Sequence, residues 1–168
     1  PLALCFALAL GACAARSKDV DVQPAAPPLT EEQMMQKVTE LAQPGPEHQR
    51  LDPLVGKFGA KMTIRMSSDA PEQTWEGVST NEWIFGGRFV QQKIEGVAFG
   101  QPFSGLGITG FDNFSKRYQG IWVDSMGTIT MPMSTGTANA TGKVITFTRT
   151  MFDPILNRDI TTREVLTI

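Results

Sequence analysis

Few side chains in this sequence have the type and spacing to do chemistry. His48 is its one histidine, on a turn shared with Glu47, Gln49 and Arg50. A single imidazole cannot complete a three-ligand metal site without carboxylate help. Any Ser–His–Asp arrangement would also depend on it, and no Gly-x-Ser-x-Gly elbow surrounds Ser104 or Ser125. A surface or capping role is therefore expected for His48. The carboxylates offer two pairings. Glu95 with Asp124 would be an acid–base pair, and either could serve as the base of a hydrolase or isomerase. Glu76 and Glu82 share a strand face by their even spacing, and that face is expected to meet solvent. There is no phosphate loop, dinucleotide fingerprint or His/Asp cluster, so no metal or cofactor is expected.

A second kind of chemistry is recognition. Trp75, Asn81, Trp83 and Phe85 alternate along one run, and Tyr118, Gly120, Trp122 and Asp124 along another. Aromatic and small residues with a few polar groups on one face suit a cavity for a small apolar ligand. The alternative is that these rings simply fill the interior. Arg88, after a Gly-Gly turn, and Arg163 could anchor an anionic head or close a barrel end, with a structural salt bridge the leading expectation for each. The candidate ligand-binding set is Trp83, Arg88, Gln91, Tyr118, Trp122 and Asp124.

The elements that position these residues change character near Val55. Thr30-Glu31-Glu32-Gln33 is a capping box. It opens a helix whose Met34, Met35, Val38 and Leu41 form an i, i+3/i+4 stripe, expected to pack on the barrel. Pro44-Gly45-Pro46 ends that helix. A second short helix begins at Pro46, and Leu51, Leu54 and Val55 should plug one barrel end. From there the period is two. Strands are expected at Lys57–Ser67, Thr74–Phe85, Arg88–Phe99, Phe103–Phe111, Arg117–Asp124, Thr128–Thr135, Lys143–Met151 and Arg158–Ile168. Turn formers separate them, and Gly86-Gly87 is a two-residue hairpin signal. Short connections imply an up-and-down meander, and glycines within strands imply strong curl. The fold expected is a mainly β, antiparallel lipocalin-like (calycin) barrel with one or two short N-terminal helices. Because the last strand still alternates at Ile168, one or two closing strands are expected to be missing.

Several of these segments occur together in a known pattern. They are Pro44-Gly45-Pro46-Glu47-His48, Leu54-Val55-Gly56-Lys57-Phe58 and Ile84-Phe85-Gly86-Gly87-Arg88-Phe89-Val90-Gln91-Gln92. Gly105-Leu106-Gly107-Ile108-Thr109-Gly110-Phe111-Asp112-Asn113 follows, with Trp122 and Asp124-Ser125-Met126-Gly127. From about Glu31 to Ile168 the chain resembles the bacterial family called domain of unknown function 1579. That resemblance implies a lipocalin-like barrel and assigns no activity. Phe58 stands where a Trp is common in the family, and the family's C-terminal continuation is absent.

The first residues read differently. Pro1 to Ala15 carries an uncharged apolar run, Leu2 to Leu10, which is too short to span a bilayer and suits a signal peptide. Leu10-Gly11-Ala12-Cys13 resembles a bacterial lipobox, with ordinary cleavage after Ala14 or Ala15 as the alternative. Residues 1–15 are thus assigned as signal peptide, 16–29 as a Pro/Ala-rich linker, and 30–168 as helices plus barrel. A lipid on Cys13 would anchor the protein to a membrane, and export to the periplasm or outer membrane follows. Cys5 and Cys13 are the only cysteines, so the mature domain can form no disulfide. The net charge of −2 and the lack of a basic cluster exclude nucleic acid as an expected partner.

Three functions remain: a non-catalytic binder of a small hydrophobic or amphipathic molecule, which leads; an envelope interaction protein docking a partner through the Met34–Leu41 stripe; and a carboxylate-based enzyme.

Overall fold

The computed structural model describes residues 28–65 and 69–168. The expected leader, Cys13 and the linker up to residue 27 lie outside the described residues. Helix α1 (Glu31–Leu41) begins at Thr30. The Thr30 hydroxyl accepts from the Gln33 amide at 3.2 Å, and Gln33 Oε1 accepts from the Thr30 amide at 3.0 Å. The capping box thus satisfies two of the donors that a helix start leaves unpaired. Helix α2 (Pro46–Gln49) and a 3-10 turn (Asp52–Leu54) follow.

Eight strands come next: β1 (Gly56–Ile64), β2 (Gln73–Ile84), β3 (Phe89–Ala98), β4 (Gln101–Asp112), β5 (Arg117–Asp124), β6 (Met131–Ala138), β7 (Val144–Asp153) and β8 (Arg158–Thr167). Each is antiparallel to the next, in the order β1 to β8. The sheet curls into a half-barrel, an open lipocalin-like barrel with β1 and β8 as its edges. Curling brings backbones very close at the facing pair Gly77 and Gly96. A Cβ on Gly77 would stand 2.5 Å from the Glu95 carbonyl oxygen, so only glycine suits this crossing.

Two local expectations change. The ladder between β2 and β3 is centred on Gly86-Gly87 but opens one pair early. Phe85 has φ 50°, so Phe85 to Arg88 form a four-residue loop rather than a two-residue hairpin. Arg88 closes that loop, its amide donating to Ile84 O at 3.3 Å and its Nη1 to Phe85 O at 2.9 Å. Residues 128–130 fall outside β6, because the β5–β6 register shifts between Gly120 and Trp122 and pairing ends at Met131.

Strict alternation sorts the side chains between the two faces. Along β2, Trp75, Ser79 and Asn81 are buried, whereas Glu76 and Glu82 are exposed, the solvent-facing placement expected of that pair. Two apolar clusters fill the concave side. At the closed end Leu51, fully buried, packs with Val90, Tyr118, Ile145 and Phe147. Leu54 and Val55 pack against this cluster, so the short helical segment plugs the barrel end as expected. The second cluster, Trp75, Ile94, Ala98 and Phe103, lies towards the open end with Trp122 against it.

Helix α1 does not pack as expected. None of its residues is buried, and Met35 is 64% exposed. Asn113 Nδ2 donates to Leu41 O at 2.9 Å and Gln43 O at 2.8 Å. These bonds tie down the C-terminal end of α1, while the stripe of Met34, Met35 and Val38 stands in solvent.

Candidate functional site

The open half of the concave face holds a cavity of about 740 Å³. Its apolar wall includes Trp75, Ile94, Phe103 and Trp122, with Met62 and Ile64 from the β1 edge. A volume of this size matches pockets that enclose a small organic ligand. Trp75 and Phe103 pack with ring centroids 4.7 Å apart and their planes inclined at 58°.

Trp122 is the best-positioned ring. On β5 it lies opposite Gly107 of β4, and its indole spreads over both Gly107 and Gly105. A Cβ on Gly105 would stand 2.6 Å from Trp122 Cη2. The two glycines therefore form the seat of the indole. Trp122 Nε1 donates to Asp124 Oδ2 at 2.7 Å. The other carboxylate oxygen, Oδ1, accepts from the Met126 amide at 2.9 Å. Asp124 thus lines the cavity, but both its oxygens are engaged in orienting Trp122 and capping the β5 turn. Glu95 is exposed on the opposite face of its strand, so it forms no pair with Asp124.

Besides Asp124, further polar side chains line the cavity, among them Gln73 and Ser134. Arg149 sits near the rim with its guanidinium largely buried; its Nε donates to Thr162 Oγ1 at 3.3 Å, and Nη2 lies 3.6 Å from Glu164 Oε2. Gln92 and Thr109 line the middle. Trp75 Nε1 is the one buried side-chain polar atom without a hydrogen-bond partner among the described residues.

The six residues singled out from sequence are divided by the structure. Trp122 and Asp124 line the cavity. Trp83 points to the concave side at the closed end, against the Leu51 cluster, and its Nε1 donates to Asp52 Oδ1 at 3.0 Å. Tyr118, 1% exposed, also belongs there. Its hydroxyl donates to Glu47 Oε2 at 2.9 Å. Burial, then the hydrogen bond to and charge of Glu47, push its phenol well above the ordinary tyrosine range. Gln91 lies between the inward-facing Val90 and Gln92 and so stands on the convex side. Arg88 is occupied at the Phe85 turn. Neither Arg88 nor Arg163 makes an ion pair among the described residues. Gln92, Ile94, Phe103 and Arg149 were missed. The parity of Val90, Ile94 and Ala98 against charged Lys93 and Glu95 was the available signal for Gln92.

His48 is 4% exposed, and its Nδ1 accepts from the Gly45 amide at 3.0 Å. It is a capping residue, buried rather than at the surface, with its ring edge-on to Phe111 at 5.9 Å. Desolvation holds its pKa below the ordinary value, against the opposing pull of a Phe111 backbone hydrogen bond. Among the described residues no group of three or more His, Cys, Asp and Glu is placed to hold a metal ion.

Residues 43–168 match the model of a family described as protein of unknown function (DUF1579). The chain belongs to that family. The match spans α2, the 3-10 turn and every strand of the half-barrel, so cavity and plug both lie within the matched residues. No curated protein matches the chain.

Proposed function

We propose that this member of the family is a non-catalytic binder of a small hydrophobic or amphipathic molecule, held in the open half of the barrel. The observation that carries the reading is the cavity of about 740 Å³, walled by Trp75, Phe103 and a Trp122 locked in place by Asp124 and two glycines. A ring that is already oriented loses little freedom when a ligand arrives. Native mass spectrometry of protein purified from its own host tests this. A released apolar compound is expected, and its place should be competed by the neutral dye Nile red. Protein that carries no compound and takes up no dye would sink the reading.

The lipobox-like Leu10-Gly11-Ala12-Cys13 supports export, with a lipid on Cys13 holding the barrel at a membrane of the periplasm or outer membrane. Cys13→Ser should then move the protein from the membrane to the soluble fraction.

One observation favours a second reading, docking of an envelope partner: the exposed Met34, Met35 and Val38 stripe of α1. A photo-crosslinking residue at Met35 should then capture a protein in cells, while one at Glu32 should not.

A further inference from the structure

We infer that the cavity selects an apolar ligand bearing a hydrogen-bond donor, a hydroxyl above all, over one that can only accept, such as an ether or a carboxylate. This rests on the ligand-binding reading and specifies the ligand class.

The inference comes from a chain of polar side chains between the plug and the cavity. Asn81 Nδ2 donates to Leu54 O at 2.7 Å. Ser79 Oγ donates to Asn81 Oδ1 at 2.7 Å. Gln92 Nε2 donates to Ser79 Oγ at 3.1 Å. Ser79 and Asn81 are both buried, so water does not take over these bonds.

Each link dictates the next. Leu54 O is a backbone carbonyl and only accepts, which forces the amide side of Asn81 towards it. Asn81 Oδ1 then needs a donor, and Ser79 has one hydroxyl proton to give. That proton is spent on Asn81, so Ser79 can only accept from Gln92. The Gln92 amide nitrogen must face Ser79, and its carbonyl oxygen must face the other way. Flipping Gln92 would set two acceptors against each other in a buried site.

Gln92 Oε1 is therefore presented to the cavity as a fixed acceptor. It lies 3.4 Å from the point where a Cβ on Gly107 would stand, and the Trp122 ring is 3.1 Å from the same point. Oε1 accepts no hydrogen bond among the described residues. Among the described residues the Thr109 hydroxyl and Trp75 Nε1 are uncommitted donors of the wall, the latter six residues along β2 from Asn81, the register partner of Gln92; the other groups near Oε1 have no proton to give. Ser134 donates its proton to Gly120 O at 3.2 Å, Trp122 Nε1 is spent on Asp124, and Asp124 only accepts. The Arg149 cation at the rim is offset by Glu164. A ligand hydroxyl laid beside Trp122 would complete Oε1, whereas an ether or a carboxylate brings it no proton. A site built for one polar partner rejects analogues that lack it by leaving its own group unpaired.

Displacement of Nile red from the full chain, followed by dye fluorescence, tests this with three probes of one chain length: 1-decanol, its methyl ether 1-methoxydecane, and decanoate. The alcohol is expected to bind at least tenfold more tightly than the ether and the carboxylate. Gln92→Leu should reduce that preference to under threefold. Ser79→Ala, which frees Gln92 to turn, should reduce it too. Equal binding of alcohol and ether, tighter binding of decanoate, or a preference that survives Gln92→Leu would overturn the inference and leave the binding reading intact. No binding by any of the three probes would overturn the binding reading itself. The wild-type comparison decides the donor question even if a variant fails to fold.

Discussion

Trp122 Nε1 lies 2.7 Å from Asp124 Oδ2, so the carboxylate two residues further along the same strand face holds the indole against the sheet. Asp124 also caps the turn through the Met126 amide. The two donors go to different oxygens, and an asparagine would turn an NH2 group towards one of them. Asp124→Asn should therefore be almost as damaging as Asp124→Ala, each costing about 1–3 kcal/mol. Urea unfolding gives the energy, and a red shift of tryptophan emission reports the loosened indole. An Asn variant with wild-type stability and spectrum would refute this orienting role.

The seat of the same indole gives a second prediction. A methyl group on Gly105 meets aromatic carbon of Trp122 and must push the ring off its site. Overpacking of this kind costs about 1–3 kcal/mol. Gly59→Ala is the matched control, since a Cβ there meets nothing within 4 Å. It should be neutral or slightly stabilising through reduced freedom of the unfolded chain. Gly105→Ala should lower both the urea midpoint and ligand affinity. Equal midpoints for the two variants would show that Trp122 does not depend on this close approach.

Much of the barrel was legible because its signals are local. Alternation with Gly, Asp, Asn and Pro between runs marked all eight strands. The position of Gly86-Gly87 also fixed the β2–β3 register, since opening the turn by one pair leaves Asn81 opposite Gln92. The interior was less legible. Gln91 and Gln92 are adjacent and alike in type, and a step of one residue reverses the face. The cavity wall depends on which strands curl past one another, so Ile94, Phe103 and Arg149 come together only in three dimensions. The α1 stripe shows a limit of another kind. Periodicity identifies an apolar face and does not say what covers it.

His48 links the plug to pH. Its folded-state pKa lies below its ordinary value of 6.5 because burial disfavours the cation. Below that ordinary value the unfolded chain binds a proton that the folded chain resists, so protons bound are greater in the unfolded state. Stability then rises with pH across this window and is lost as pH falls from about 7 towards the depressed folded value. The Gly45 amide bond to Nδ1 adds to the effect, because a protonated Nδ1 cannot accept it. His48→Gln removes the titrating group, lowering stability at neutral pH while flattening its slope between about pH 7 and 5. Urea midpoints at several pH values, for wild type and variant, measure both slopes. A wild-type slope in this window that His48→Gln leaves unchanged would place the acid sensitivity in another group.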